Sequence, residues 1–71
     1  QVAIEWFELA AEQDNTYAIF KLGVFNFEGI GMKMNRKRGT KYFLEAARKG
    51  NTHAQFNLAV IFQEGKYIVA D

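Results

Sequence analysis

Residues 46–65 read AARKGNTHAQFNLAVIFQEG, and residues 10–29 read AAEQDNTYAIFKLGVFNFEG. A shift of 36 positions lays Ala10 on Ala46, Ala11 on Ala47, Asn15 on Asn51, Thr16 on Thr52, Ala18 on Ala54 and Phe20 on Phe56. The same shift lays Leu22 on Leu58, Val24 on Val60, Glu28 on Glu64 and Gly29 on Gly65. The chain therefore contains an internal repeat. A fixed period of about 20–50 residues marks stacked units, each hiding its apolar face only against its neighbours.

Outward from this stretch, the apolar residues recur at helical spacing. Over 2–13, Val2, Trp6, Leu9 and Gln13 share one line, with Ala3, Phe7, Ala10 and Ala11 beside it and Glu5, Glu8 and Glu12 opposite. That pattern predicts an amphipathic helix of about three turns. Asp14 and Asn15 end it, since both tolerate turn conformations and Asn is a favoured N-cap. The copy carries Gly50 and Asn51 in these places, which suit a helix stop and a helix start.

A second helix is expected over 16–28, with Ala18, Leu22, Phe25 and Gly29 on one line and Ile19, Phe20, Gly23 and Phe27 flanking it. Gly costs about 1 kcal/mol of helix propensity relative to Ala. Gly23 and its copy Ala59 are both small, which predicts that another helix backbone approaches closely there. Gly29, Ile30 and Gly31 form a loop, with Met32 expected to plug the hairpin and Met34 to be exposed. Asn35 caps a third helix over 36–49 that buries Tyr42, Phe43, Ala46 and Ala47. A fourth, over 52–64, repeats the second, with Thr52 and Gln55 spaced as a capping box. The tail after Gly65 aligns with the 29–35 loop, so Asp71 takes the place of Asn35 as a capping residue.

The expected fold class is thus all-α, an α-α superhelix, or solenoid, of two tandem helical hairpins cut mid-repeat at both ends. The first residue is Gln rather than Met, and the chain is expected to be a piece of a longer protein. About three repeats are needed for independent stability. Residues 1–71 are therefore expected to belong to a longer array or to stack on another copy through the exposed repeat ends. Equivalent positions on the first and third helices carry opposite charge, Glu5 against Lys41 and Glu12 against Arg48, which predicts lateral ion pairs each worth about 0.2–1 kcal/mol.

Composition narrows the chemistry. At 8.1 kDa the chain is at most one domain, and so small a core is marginal without staples. It has no Cys, so thiol catalysis and zinc-thiolate sites are excluded and the redox compartment is undetermined. No apolar run approaches the ~20 residues needed to span a bilayer, and no basic-then-apolar leader opens the chain. The net charge of +1 conceals a segregation. Residues 1–28 carry a net of −4, whereas 33–49 carry +6 through Lys33, Arg36, Lys37, Arg38, Lys41, Arg48 and Lys49 against Glu45.

With these positions in place, the string AARKGNTHAQFNLAVIFQEG, preceded by the aromatic pair Tyr42–Phe43, resembles the Sel-one-like repeat, a tetratricopeptide-like helical solenoid. That family's unit runs as an aromatic, Lys-Ala-Ala, a Gly turn, Ala-x-x-x-Leu-Gly-x-x-Tyr, then Gly-x-Gly-Val and an acidic residue. In the first unit Trp6, Ala10, Ala11, Ala18, Leu22, Gly23, Gly29, Gly31 and Asn35 carry the resemblance. In the second, Tyr42, Ala46, Ala47, Gly50, Ala54, Leu58, Phe62, Gly65 and Asp71 do so. Departures are Asp14 for the turn Gly, Asn26 for an aromatic, Gly39 for helix Ala, Ala59 for Gly and Tyr67 for the second loop Gly. The period of 36 separates the pattern from the tetratricopeptide repeat proper, whose unit is about 34 residues. The resemblance implies a non-enzymatic adaptor that holds other proteins together.

No residue type here demands catalysis. His53 stands alone, with no Cys or carboxylate at ligand spacing. Glu5, Glu8 and Glu12 read as a solvated helix face. No catalytic, cofactor or metal site is assigned. For a binding surface, the helices that start each family unit would line the concave side, where Tyr17, Lys21, Val24 and Glu28 recur as His53, Asn57, Val60 and Glu64. The core positions keep their chemistry between the copies while Tyr17/His53 and Lys21/Asn57 change theirs, as a ligand-specifying groove would.

The band Lys33, Arg36, Lys37, Arg38, Lys41 is the second candidate surface. Cations at a helix N-terminus oppose its dipole by a few tenths of a kcal/mol each, so helix formation does not account for them. A solvated helix face is the first reading of the band and an acidic protein contact the second; nucleic acid ranks last, because Tyr42 and Phe43 are better used as core than as stacking platforms. The sequence thus predicts a protein-interaction scaffold, against two alternatives: a basic helical module on nucleic acid and an accessory helical domain of an enzyme.

Overall fold

The computed structural model describes residues 2–64, with the backbone alone for Val2, Ala3 and Glu64. Four helices follow one another: α1 (Val2–Glu12), α2 (Thr16–Glu28), α3 (Arg36–Arg48) and α4 (Thr52–Glu64), with no strand among the described residues. The boundaries agree with the expected ones to within a residue. Gln13 and Lys49, expected in helices, fall instead in the turns that close α1 and α3. The proposed role of Asp71 lies outside the described residues.

Two of the turns are built alike. After α1, the N–H of Asn15 donates to the Ala10 carbonyl at 3.1 Å and that of Asp14 to Ala11 at 2.9 Å. After α3, Asn51 donates to Ala46 and Gly50 to Ala47, both at 3.0 Å. This crossed pair satisfies two of the carbonyls that a helix end leaves open, and it requires a left-handed residue just past the end. Asp14 takes that conformation at φ 65° where Gly50 does at 95°. Each Asn then turns round to cap the next helix: Asn15 Oδ1 accepts from Ala18 N–H at 3.0 Å, and Asn51 Oδ1 from Ala54 N–H at 2.8 Å. One residue closes one helix and opens the following one, which permits a sharp reversal.

The capping box expected from Thr52 and Gln55 does not form. Asn51 already supplies the cap, and Gln55 Nε2 reaches back to the Ala47 carbonyl at 3.1 Å, tying α4 to the end of α3. Asn35 caps α3 as expected, its Oδ1 accepting from Arg38 N–H at 3.0 Å. Met32 is half-buried and Met34 exposed.

Packing runs in chain order, α1 on α2, α2 most extensively on α3, and α3 on α4. Ile19, Leu22 and Phe27 of α2, Phe43 and Ala46 of α3, and Ala54, Leu58 and Ile61 of α4 are buried. Two aromatic groups link the helices: Phe43 lies 5.9 Å from both Phe20 and Phe27, and Phe7 of α1 lies 5.4 Å from Phe25 and 6.2 Å from Tyr17. The α2–α3 crossing is closest at Gly23 and Gly39. A Cβ on Gly23 would stand 2.7 Å from the Phe43 ring, and one on Gly39 would stand 2.8 Å from Phe27 N and 2.9 Å from Gly23 O. Close approach at Gly23 is thereby explained, and Gly39, a departure from the family pattern, is its partner. Ala59, the copy of Gly23, is exposed, and no described helix packs against it.

The lateral ion pairs Glu5–Lys41 and Glu12–Arg48 are not made. Positions equivalent under the repeat point in the same direction, so they do not face each other. The ion pair found among the described residues joins the turns that close α1 and α3 at their C-terminal ends, with Lys49 Nζ 3.1 Å from Asp14 Oδ1. The two helices are otherwise separated by a cleft lined by Glu8, Ala11 and Glu12 on one side and Tyr42 and Glu45 on the other.

Candidate functional site

The tight α3–α4 turn brings α4 back along α3, so that α2 and α4 face each other across it. Between them lies a groove of about 280 Å³. Buried Phe27, Phe43 and Ile61 form its floor, and Val24, Phe56 and Val60 form its apolar walls. Three polar side chains join them: Glu28, Asn57 and Arg36. Phe56 keeps 68 % of its surface exposed, although its repeat partner Phe20 is half-buried against Phe43. A groove of this kind, concave and apolar with a few convergent polar groups, suits ligand capture.

Of the residues expected on the concave face, Glu28 and Asn57, with Val24 and Val60 between, line this groove. His53 does not line it; its ring lies 5.8 Å from that of Phe20. Tyr17 and Lys21 lean the other way, Tyr17 towards Phe7 and Lys21 Nζ 5.6 Å from the Phe25 ring. The side chain of Glu64 lies outside the described residues. Phe27, Phe43, Phe56 and Ile61 were missed as groove residues because apolar spacing reads as core wherever a neighbouring helix is assumed.

The basic band is divided. Lys37, Arg38 and Lys41 gather with Asn35 round one shallow depression, and Lys33 and Arg38 border the α2–α3 loop. Arg36 alone turns into the groove, its guanidinium carbon 4.9 Å from the centre of the Phe27 ring, a cation–π distance. Its Nε is buried and has no hydrogen-bond partner. Beneath the loop, Asn26 is 2 % exposed; its Nδ2 donates to the Leu22 carbonyl at 2.8 Å while Oδ1 is unpartnered.

Glu5, Glu8 and Glu12 are exposed, as a solvated face requires. Among the described residues no group of three His, Cys, Asp or Glu side chains is placed to hold a metal ion. No described helix is long and apolar enough to cross a membrane.

Repeated helical hairpins, closed by identical turns and stacked through small residues, define an α-solenoid of the tetratricopeptide-like class. Within that class the chain belongs to the Sel1 repeat family, whose model matches residues 1–15, 16–51 and 52–71. The middle match takes in α2 and α3 together, so their interface is the one internal to a unit. Among its relatives is Protein sel-1 homolog 2 of Homo sapiens, 36% identical over 63 residues, which are 87% of this chain and 9% of that protein. Another is DAP3-binding cell death enhancer 1 of Rattus norvegicus, 32% identical over 62 residues, 87% of this chain and 12% of that protein. The chain thus spans about a tenth of the length of these relatives. No solved structure matches it. Sel1 repeats are a protein-interaction repeat type.

Proposed function

We propose that the chain is a non-enzymatic scaffold module that takes a protein segment in the groove between α2 and α4. The observation that carries this reading is the placement of apolar Val24, Phe56 and Val60 around an open groove whose floor is already packed. A twelve-residue peptide selected from a random display library, titrated into the isotopically labelled chain, is expected to move the amide resonances of Val24, Phe56, Asn57 and Val60. Shifts gathered on α1, or at Lys37, Arg38 and Lys41, would defeat the groove assignment.

The clustering of Lys37, Arg38 and Lys41 favours one rival, a nucleic-acid contact. It predicts affinity for a random-sequence oligonucleotide that falls steeply with salt; the scaffold reading predicts no such binding at physiological ionic strength. A second observation concerns the ends. Ala59 and Phe62 of α4, outside the groove, repeat the positions of Gly23 and Asn26 on α2, where α3 packs, and they are exposed. Trp6 and Leu9 of α1 are exposed too. These faces support stacking of further repeats or of a second copy, and a concentration-dependent mass in sedimentation, lost on Phe62→Ser, is the expected sign of self-stacking.

A further inference from the structure

We propose that Arg36 anchors a partner carboxylate, so that the segment received by the groove is apolar with one Asp or Glu side chain seated on the Arg36 guanidinium. This rests on the groove reading above. Arg36 is half-buried, yet no described carboxylate pairs with it and its Nε lacks an acceptor. A buried donor without a partner is costly, more so when charged. Its position in the first turn of α3 also sets it against the helix dipole. The contact with Phe27 accounts for the packing of this side chain but leaves its charge without a counter-ion, and an incoming anion would supply one.

The geometry fits a carboxylate. The guanidinium carbon sits 4.9 Å from the centre of the Phe27 ring, and a guanidinium offers forked N–H donors that match a carboxylate in bidentate pairing. The polar groups facing it from the other helices are Glu28 on α2 and Asn57 on α4. Asn57 offers a further hydrogen bond to the ligand. Glu28, exposed at the rim and making no ion pair, is the intramolecular competitor. A polyanion is disfavoured because Val24, Phe56 and Val60 wall the groove and Lys37, Arg38 and Lys41 surround a different depression.

The test is an array of random twelve-residue peptides probed with the labelled chain and its variants. Peptides that bind are expected to carry an Asp or Glu among Leu, Ile or Phe residues. Replacing that acid by its amide, with the unaltered chain, lowers affinity about 10–100-fold, as does Arg36→Gln. Arg36→Lys keeps the charge but not the fork and recovers only part. Lys37→Gln changes nothing, and Glu28→Gln tightens binding. If peptides without a carboxylate bind as well and Arg36→Gln is silent, while Phe56→Ser abolishes binding, the groove stands and the anchor is refuted. Binding indifferent to Phe56→Ser, or no binding at all, refutes the groove reading itself.

Discussion

Gly39→Ala should be among the most damaging single-methyl additions to this chain. The new Cβ stands 2.8 Å from both Cβ and N of Phe27 and 2.9 Å from Gly23 O. Non-bonded carbons prefer about 3.5–4.0 Å, so α2 and α3 must separate by roughly 0.7–1 Å at their crossing. Two of the opposing atoms are backbone, which cannot rotate away, and separation also loosens the contacts of Phe43 with Phe20 and Phe27. Overpacking of this kind costs about 1–3 kcal/mol. The gain in helix propensity from Gly to Ala opposes it by about 1 kcal/mol, and a net loss near 2 kcal/mol results at the upper end of the clash. Chains of this size hold roughly 0.05–0.15 kcal/mol per residue, so the loss is a large share of the whole. In urea, with a slope of about 1 kcal/mol/M, the midpoint of far-ultraviolet ellipticity falls by roughly 2 M. Gly23→Ala meets chiefly the Phe43 ring at 2.7 Å, a side chain that can tilt, with Gly39 O at 3.2 Å, and should cost less. A Gly39→Ala midpoint at or above that of the parent, or a greater loss from Gly23→Ala, would refute the close-packed crossing.

Other perturbations separate local from tertiary effects. Asn51→Ala removes the cap on α4 and is expected to cost about 1 kcal/mol in urea unfolding, whereas Thr52→Ala leaves stability nearly unchanged because Thr52 is not the capping residue. Asp14→Gly relieves the left-handed backbone at φ 65° but loses the ion pair with Lys49, which is largely solvent-exposed and screened by salt. Its melting temperature should therefore rise relative to the parent more at high salt than at low. Leu22→Ala, at a fully buried position of α2, should cost about 2–4 kcal/mol and leave little cooperative unfolding in a thermal melt.

The placement of elements was legible because its causes are local. Helical spacing, the Asn caps and the left-handed residues at positions 14 and 50 act over three to five residues, and the 36-residue shift shows each twice. The candidate site was legible only in part. Glu28 and Asn57 were foreseen in the groove, but Tyr17 and Lys21 turn towards the α1 side, and a helical wheel does not say which flanking helix a long side chain leans on. Arg36 was one of five cations in a row, and the Phe27 ring that singles it out lies nine positions back on another helix.

The sequence by itself determined that this chain is a tandem of helical hairpins, where each helix starts and stops to within a residue, and that position 23 has to be small. Only the tertiary structure decided that Phe20 is half-covered while Phe56 is open, that Gly39 answers Gly23, and that Asp14 rather than Glu12 meets a cation, Lys49 in the turn after α3. The reason is that a repeat writes the same residue into the same local geometry each time. What that residue touches depends on which neighbouring helix is present beside it.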